Sequence, residues 1–175
     1  GNITGKLEIY DKQLNEIFQH SKYVGTVLQD SDAQFVGLSV AEDIAFVLEN
    51  DEVETEIMKN KVREIAEFVK IEKLLDLKPH DLSGGQKQKV SLAGIMVDDT
   101  KIFLYDEPLA NLDPLSGKYA IELIDELHEK GEITTIIIEH RLEDVLHRKV
   151  DRIIVVDKGR IVADSTPDNI LKGNI

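Results

Sequence analysis

The sequence predicts an α/β fold, a mostly parallel sheet flanked by helices and interrupted by an inserted helical segment. Three observations lead there. From Lys101 onward, apolar strand-like runs alternate with helical stretches, the pattern of parallel strands joined by crossover helices. The runs Ile102 to Tyr105, Ile133 to Ile138 and Arg152 to Val156 are continuously apolar, as strands covered on both faces should be. Between Ser39 and Val97 the apolar residues instead recur at helical spacing.

Residues 3 to 10 alternate enough for a half-exposed strand, residues 11 to 21 read as a polar loop with a helical turn, and Tyr23 to Leu28 as a second strand. The polar Gln29-Asp30-Ser31-Asp32 cannot continue that strand, so Gln29 stands at its end. Ser39 opens a helix with Glu42 completing a capping box, and Ala41, Ile44, Ala45 and Leu48 share one face. Glu54 to Leu75 carries Ile57, Val62, Ile65, Phe68 and Val69 at helical spacing, and Lys78-Pro79-His80-Asp81 breaks it. Ser83 starts the next helix, which runs to about Val97 with Val90, Ala93 and Ile95 available for packing. Pro114 begins the helix after the strand at 102, since a missing N–H is harmless in a first turn, and Gly131 ends it. Lys158-Gly159 turns the chain into Arg160 to Ala163, and Thr166-Pro167 starts a short last helix. The organisation expected is an N-terminal β part at 1–38, a helical subdomain at 39–97 and an α/β core at 98–175.

Composition narrows the class. A chain of 175 residues can bury a real core. With 34 acids against 21 bases and a net charge of −13, its surface repels nucleic-acid phosphates and anionic lipid, so membrane contact should run through a protein partner. There is no cysteine, hence no disulfide framework or thiolate chemistry, which fits a reducing cytosol. No stretch approaches the roughly 20 apolar residues needed to span a bilayer. The expectation is a cytoplasmic protein.

Two motifs carry chemistry. In Leu82-Ser83-Gly84-Gly85-Gln86, a serine and two glycines precede a helix-forming stretch. Bare backbone N–H groups and the positive helix end there favour an anion. In Lys101-Ile-Phe-Leu-Tyr-Asp-Glu107, a buried strand delivers two carboxylates at its C-terminal edge, where ligands of open α/β sheets sit. Alone, the first is usually a turn and the second a solvated loop; in this order, with Asn111-Leu-Asp113 and His140 following, they form a set. One acid suits a magnesium ion and the other a water. The other histidines, His20, His80, His128 and His147, form no metal cluster with acids at ligand spacing.

On these residues the chain resembles the nucleotide-binding subunits of ABC transporters, from about Ile3 to Ile170. Leu82 to Gln86 resembles the signature motif, Ile102 to Glu107 the Walker B strand, Asn111 to Asp113 the D-loop, His140 the switch histidine and Gln29 the Q-loop glutamine. The resemblance implies a P-loop NTPase-like ABC ATPase core that takes ATP with Mg2+. It makes Asp106 the magnesium acid, helped by Gln29, Glu107 the residue that orients or deprotonates the attacking water, and His140 a donor to the γ-phosphate. Ser83, Gly84, Gly85 and Gln86 would meet a nucleotide held by a second subunit, in a head-to-tail dimer with Asp113 at the interface.

Thr26 to Phe35, Val40 to Phe46 and Ile138-Glu-His-Arg-Leu-Glu143 further resemble the ATPases of energy-coupling factor importers, which take up vitamins and transition-metal ions. Ser31 stands where those carry proline. A membrane-embedded coupling protein is the partner implied, docking near residues 30 to 50. Absent throughout is Gly-x-x-x-x-Gly-Lys-Ser/Thr, the loop that cradles phosphates in this family. The expectation is therefore a chain lacking the Walker A part and inactive alone. The competing readings are a non-catalytic binding fragment and a DNA-maintenance ATPase; acidity and the short helical segment, where a long coiled coil would stand, disfavour the latter.

Overall fold

The computed structural model of the chain describes residues 8–9, 12–13, 23–28, 34–98, 100–110, 112–131 and 133–173. It divides into two compact units, Gly1–Glu139 and His140–Ile175.

In the first unit, strand β1 (Glu8–Ile9) pairs antiparallel with β2 (Lys12–Gln13). This corrects the loop expected from residue 11: polar side chains do not prevent a two-residue ladder, because the pairing is made by backbone groups. A parallel sheet follows, ordered β3-β4-β5, from β3 (Val24–Val27), β4 (Ile102–Asp106) and β5 (Thr134–Ile138). Its register runs from Val24 opposite Ile102 to Val27 opposite Tyr105, and from Ile102 opposite Thr134 to Asp106 opposite Ile138.

Helices α1 (Val40–Asn50), α2 (Thr55–Val69) and α3 (Gly84–Met96) stand between β3 and β4 in sequence. They share a core in which Val40, Ile44, Leu48, Val62, Ala66, Val69, Val90 and Ala93 are buried. Ser39 caps α1 by accepting from the Glu42 N–H, as expected. The Glu42 carboxylate, however, accepts from the N–H of Leu38 rather than from that of Ser39, so the box closes one residue early. The N–H groups of Val40 and Ala41 donate to the carbonyls of Leu77 and Leu75, so the turn after α2 satisfies donors that a helix start leaves open.

Helix α2 ends at Val69, short of the expected Leu75. Lys70 takes the left-handed conformation at φ 61°, and the N–H of Ile71 donates to Ala66 across it. Ile57, expected on the packed face, is 49% exposed and sits in the first turn of the helix.

Helix α4 (Pro114–Gly131) joins β4 to β5 and buries Ala120, Ile121, Ile124 and Leu127. The expectation that β5 is covered on both faces fails, since Ile136 and Ile138 remain about half exposed. Its apolar run reflects strand propensity as much as burial.

The second unit holds α5 (Leu142–Val145), strands β6 (Ile153–Asp157) and β7 (Arg160–Ser165), and α6 (Pro167–Leu171). Among the described residues β6 pairs only with β7, antiparallel, so it does not extend the parallel sheet as its apolar run suggested. Both turn residues have positive φ, 47° at Lys158 and 73° at Gly159, as the tight hairpin turn requires. The guanidinium of Arg152 donates twice to Asp164, each bond 2.6 Å. No helix among the described residues is long and apolar enough to cross a membrane.

Candidate functional site

The end of β4 delivers the two acids. Asp106 closes the strand opposite Ile138 and is half-buried. At Glu107 the backbone turns sharply into the left-handed region, φ 48°. The Glu107 N–H donates to the Ile138 carbonyl at 2.9 Å, and its own carbonyl accepts from the Ala110 N–H at 3.1 Å. These two bonds pin a conformation that costs a residue with a Cβ about 1–3 kcal/mol. Both acids thus leave the sheet at its C-terminal edge, where open α/β sheets bind ligands.

Among the described residues no three His, Asp or Glu gather as a metal cage. Nucleotide-borne magnesium needs only one or two protein carboxylates beside its phosphates, and a lone half-buried Asp106 at a strand end fits that demand.

The glycine motif forms the start of α3. Ser83 is extended at φ −69°, ψ 160°, and its hydroxyl accepts from the Gln86 N–H at 3.4 Å. The Gln86 side-chain oxygen accepts from the Ser83 N–H at 2.8 Å, completing a capping box. Ser83 and Gly84 are exposed, whereas Gly85 is half-buried. A Cβ on Gly85 would lie 3.0 Å from the Ser116 hydroxyl and 3.3 Å from its Cβ, so the signature-like turn abuts the start of α4.

Asp113 caps that start. Its carboxylate accepts from the N–H groups of Leu115 and Ser116, at 3.0 and 3.1 Å, and from the Ser116 hydroxyl at 2.5 Å. The Ser116 hydroxyl bond, followed by the backbone bonds, holds the Asp113 carboxyl below the usual carboxylate range. Ser116 was not singled out from the sequence. The signal was present, because Asp113-Pro114 reads as a cap followed by proline in the first turn, and residues in that turn receive the cap's bonds.

Gln29 and Asn111 lie outside the described residues. Beside Gln29's segment, Gln34 does the clamping: its amide oxygen accepts from the Leu28 N–H at 3.1 Å and its amide nitrogen donates to the Thr26 carbonyl at 3.2 Å. Nothing in the sequence marks it. Asp43 accepts from the N–H groups of Val36 and Gly37, at 2.7 and 3.0 Å. Gly37 is tight enough there that a Cβ would meet the Asp43 nitrogen at 2.4 Å. Along this stretch Val36, Leu38 and Phe46 are exposed, Leu38 by 82%. His140 is exposed and opens the second unit, Glu139 alone separating it from the end of β5.

Comparison with known proteins adds the following. The family model described as ABC transporter matches residues 2–110. A protein of Vibrio parahaemolyticus named as a candidate ABC transporter ATP-binding protein is 58% identical over 173 residues, 98% of this chain and 30% of that protein. A protein of Clostridium perfringens with the same description is 56% identical over 174 residues, 98% of this chain and 31% of its own length. This chain therefore spans about 30% of the length of the curated relatives it matches. Among solved structures, cbiO1 from Clostridium perfringens, described as part of the ABC transporter complex cbiONQ, superposes with a TM-score of 0.87 at 29% identity. That match covers 98% of this chain and 69% of cbiO1.

Proposed function

The chain belongs to the ABC transporter ATP-binding family, and from that premise we propose that it is part of an ATP-hydrolysing subunit of a prokaryotic importer of the energy-coupling type. The observation that carries the reading is the end of β4, where Asp106 leaves the sheet beside a Glu107 pinned in a strained conformation. Strain of this kind persists only where the surrounding structure holds it, here through Ile138 and Ala110, and it clusters at active sites.

In this reading Asp106, with Gln29, would hold the magnesium carried by the nucleotide phosphates, which would supply neutralising positive charge there. Glu107 orients the attacking water and takes its proton, and His140 donates to the terminal phosphate. Ser83, Gly84, Gly85 and Gln86 serve the nucleotide of a second subunit in a head-to-tail dimer, with Asp113 at the interface. The exposure of Ser83 supports that role, because a buried cap could reach no second molecule.

The exposure of the apolar residues Val36, Leu38 and Phe46 supports docking of a membrane subunit near residues 30 to 50, with residues 39–97 as the helical subdomain that moves. The protein would then work on the inner face of the membrane. Vitamin or metal-ion cargo follows from the energy-coupling type and is held elsewhere in the assembly. Because no Gly-x-x-x-x-Gly-Lys-Ser/Thr occurs in these 175 residues, they do not turn over ATP alone and depend on a phosphate loop from outside them.

The test is Glu107→Gln in the full-length protein. ATP binding is retained, while magnesium-dependent turnover falls by about 10² to 10⁴. Turnover equal to wild type refutes the role of Glu107, and turnover by residues 1–175 alone refutes the dependence on an outside loop.

A further inference from the structure

Strand β3 is the outer strand of its sheet among the described residues. At its end, the N–H of Leu28 and the carbonyl of Thr26 are the pair of groups that a neighbouring parallel strand would bond. The Gln34 side chain bonds both, accepting from Leu28 at 3.1 Å and donating to Thr26 at 3.2 Å. A carboxamide carries the same acceptor and donor as a peptide group, so one side chain stands in for a strand and ties residue 34 to the sheet.

From the next residue onward the chain is held by the helices. Phe35 packs on the core shared by α1, α2 and α3. Asp43 accepts from the N–H groups of Val36 and Gly37, and Glu42 from that of Leu38. The hold of the sheet therefore ends at Gln34 and that of the helices begins at Phe35, with a single peptide bond between them. Residues 29–33 lie between Leu28 and Gln34 in sequence, so the clamp fastens both flanks of the segment that carries Gln29 to β3. That strand runs beside the one bearing the magnesium acid, since Val27 stands opposite Tyr105, the residue before Asp106. Stability has little need of the clamp: Leu28 is exposed, so water can take the place of the Gln34 oxygen at its N–H.

We infer that Gln34 is a positioning residue for the ATPase reaction. By tying residue 34 to β3 it keeps Gln29 referenced to the sheet that carries Asp106 while the helices move. Without it, the far flank of the Gln29 segment would be held by the helices alone, through Phe35 and the bonds to Asp43 and Glu42. The inference rests on the magnesium role given above to Asp106 and Gln29, and it adds the residue through which the second of these is held. Outer groups that orient a metal's ligands commonly matter 10- to 100-fold, roughly, although they touch neither metal nor substrate.

Two variants of the full-length protein test it. Gln34→Met keeps the length of the side chain and removes both bonds, whereas Gln34→Glu keeps the acceptor and loses the donor; thermal melts check that each folds, and either one suffices. In the nucleotide-free protein, hydrogen exchange at the Leu28 amide should quicken about fivefold in Gln34→Met, as for loss of one hydrogen bond. Magnesium-dependent turnover should fall about tenfold in both variants, since neither can donate to the Thr26 carbonyl. Gln29→Ala should cost about 10- to 100-fold, and adding Gln34→Met to it less than about twofold more, because nothing is left to position. Unchanged exchange at Leu28 overturns the inference, as does a double variant that loses a further tenfold, the result expected if the clamp serves stability alone. If Gln29→Ala is slow and the Gln34 variants are not, the inference fails by itself. If Gln29→Ala turns over like wild type, the magnesium role of Gln29 fails first and takes the inference with it.

Discussion

The start of α3 and the end of β4 both present polar groups at the tip of a regular element, yet they are built in opposite ways. At α3 the backbone is relaxed, and Ser83 and Gln86 satisfy each other's N–H groups. At β4 the backbone is forced into the left-handed region at Glu107 and held by Ile138 and Ala110. A relaxed, outward-facing cap leaves its geometry available to whatever arrives from outside. A strained strand end fixes one side chain at the expense of stability, a device that recurs where a side chain must already point the right way.

Glu107→Gly tests this contrast most severely. Glycine adopts φ near 48° without penalty, so equilibrium denaturation should show Glu107→Gly as stable as Glu107→Ala or more so, by up to about 1 kcal/mol, since both lose the same side-chain interactions and only alanine keeps the strain. In the full-length protein turnover should drop by about 10² to 10⁴, as for loss of a general base. Glu107→Gly less stable than Glu107→Ala would mean that this position is not strained, and the contrast with Ser83 would collapse.

The next effect joins the α3 start to α4. Gly→Ala inside a helix normally stabilises by about 1 kcal/mol. At Gly85 the new Cβ meets a Ser116 side chain that cannot swing aside freely, because its hydroxyl is bonded to Asp113. Gly85→Ala should therefore forfeit that gain, and adding Ser116→Gly should recover it relative to Ser116→Gly alone. A coupling of about 1 kcal/mol in the double-mutant cycle is expected. Additive effects would show that the two turns do not press on each other.

The same contrast explains what was legible in the sequence. Ser83 opening one helix and Pro114 starting another are local signals, and the structure places both helix starts there, capped by Ser83 with Gln86 and by Asp113. The strand Ile102 to Asp106 was equally plain, because a run of apolar residues ending in acids has few other uses. What was not legible depends on distant partners. The strain at Glu107 needs the Ile138 carbonyl, the contact of Gly85 needs Ser116, and the clamp by Gln34 needs the end of β3. Apolar runs likewise gave strands but not their neighbours: β6 pairs with β7 alone among the described residues, since composition sets strand propensity while register and partner are set by tertiary packing.

The smallest predicted effect separates the two caps by charge. Asp113 caps α4 with a carboxylate whose folded pKa is depressed, chiefly by the Ser116 hydroxyl, whereas Ser83 caps α3 with a neutral hydroxyl. A depressed folded pKa stabilises the fold fully above the ordinary value of 3.8, and the gain is lost as pH falls through the lower folded value. Asp113→Asn keeps an acceptor for the α4 N–H groups and removes the charge, so its stability deficit against wild type should hold at neutral pH and close as acid is added. Ser83→Gly, which should cost only a few tenths of a kcal/mol, should show a deficit that does not change with pH. Denaturant midpoints measured for both variants over the same acid series decide it. A pH-independent deficit at Asp113 would mean that its bonds to Leu115 and Ser116 serve as geometry alone, and the two caps would then differ in sequence but not in kind.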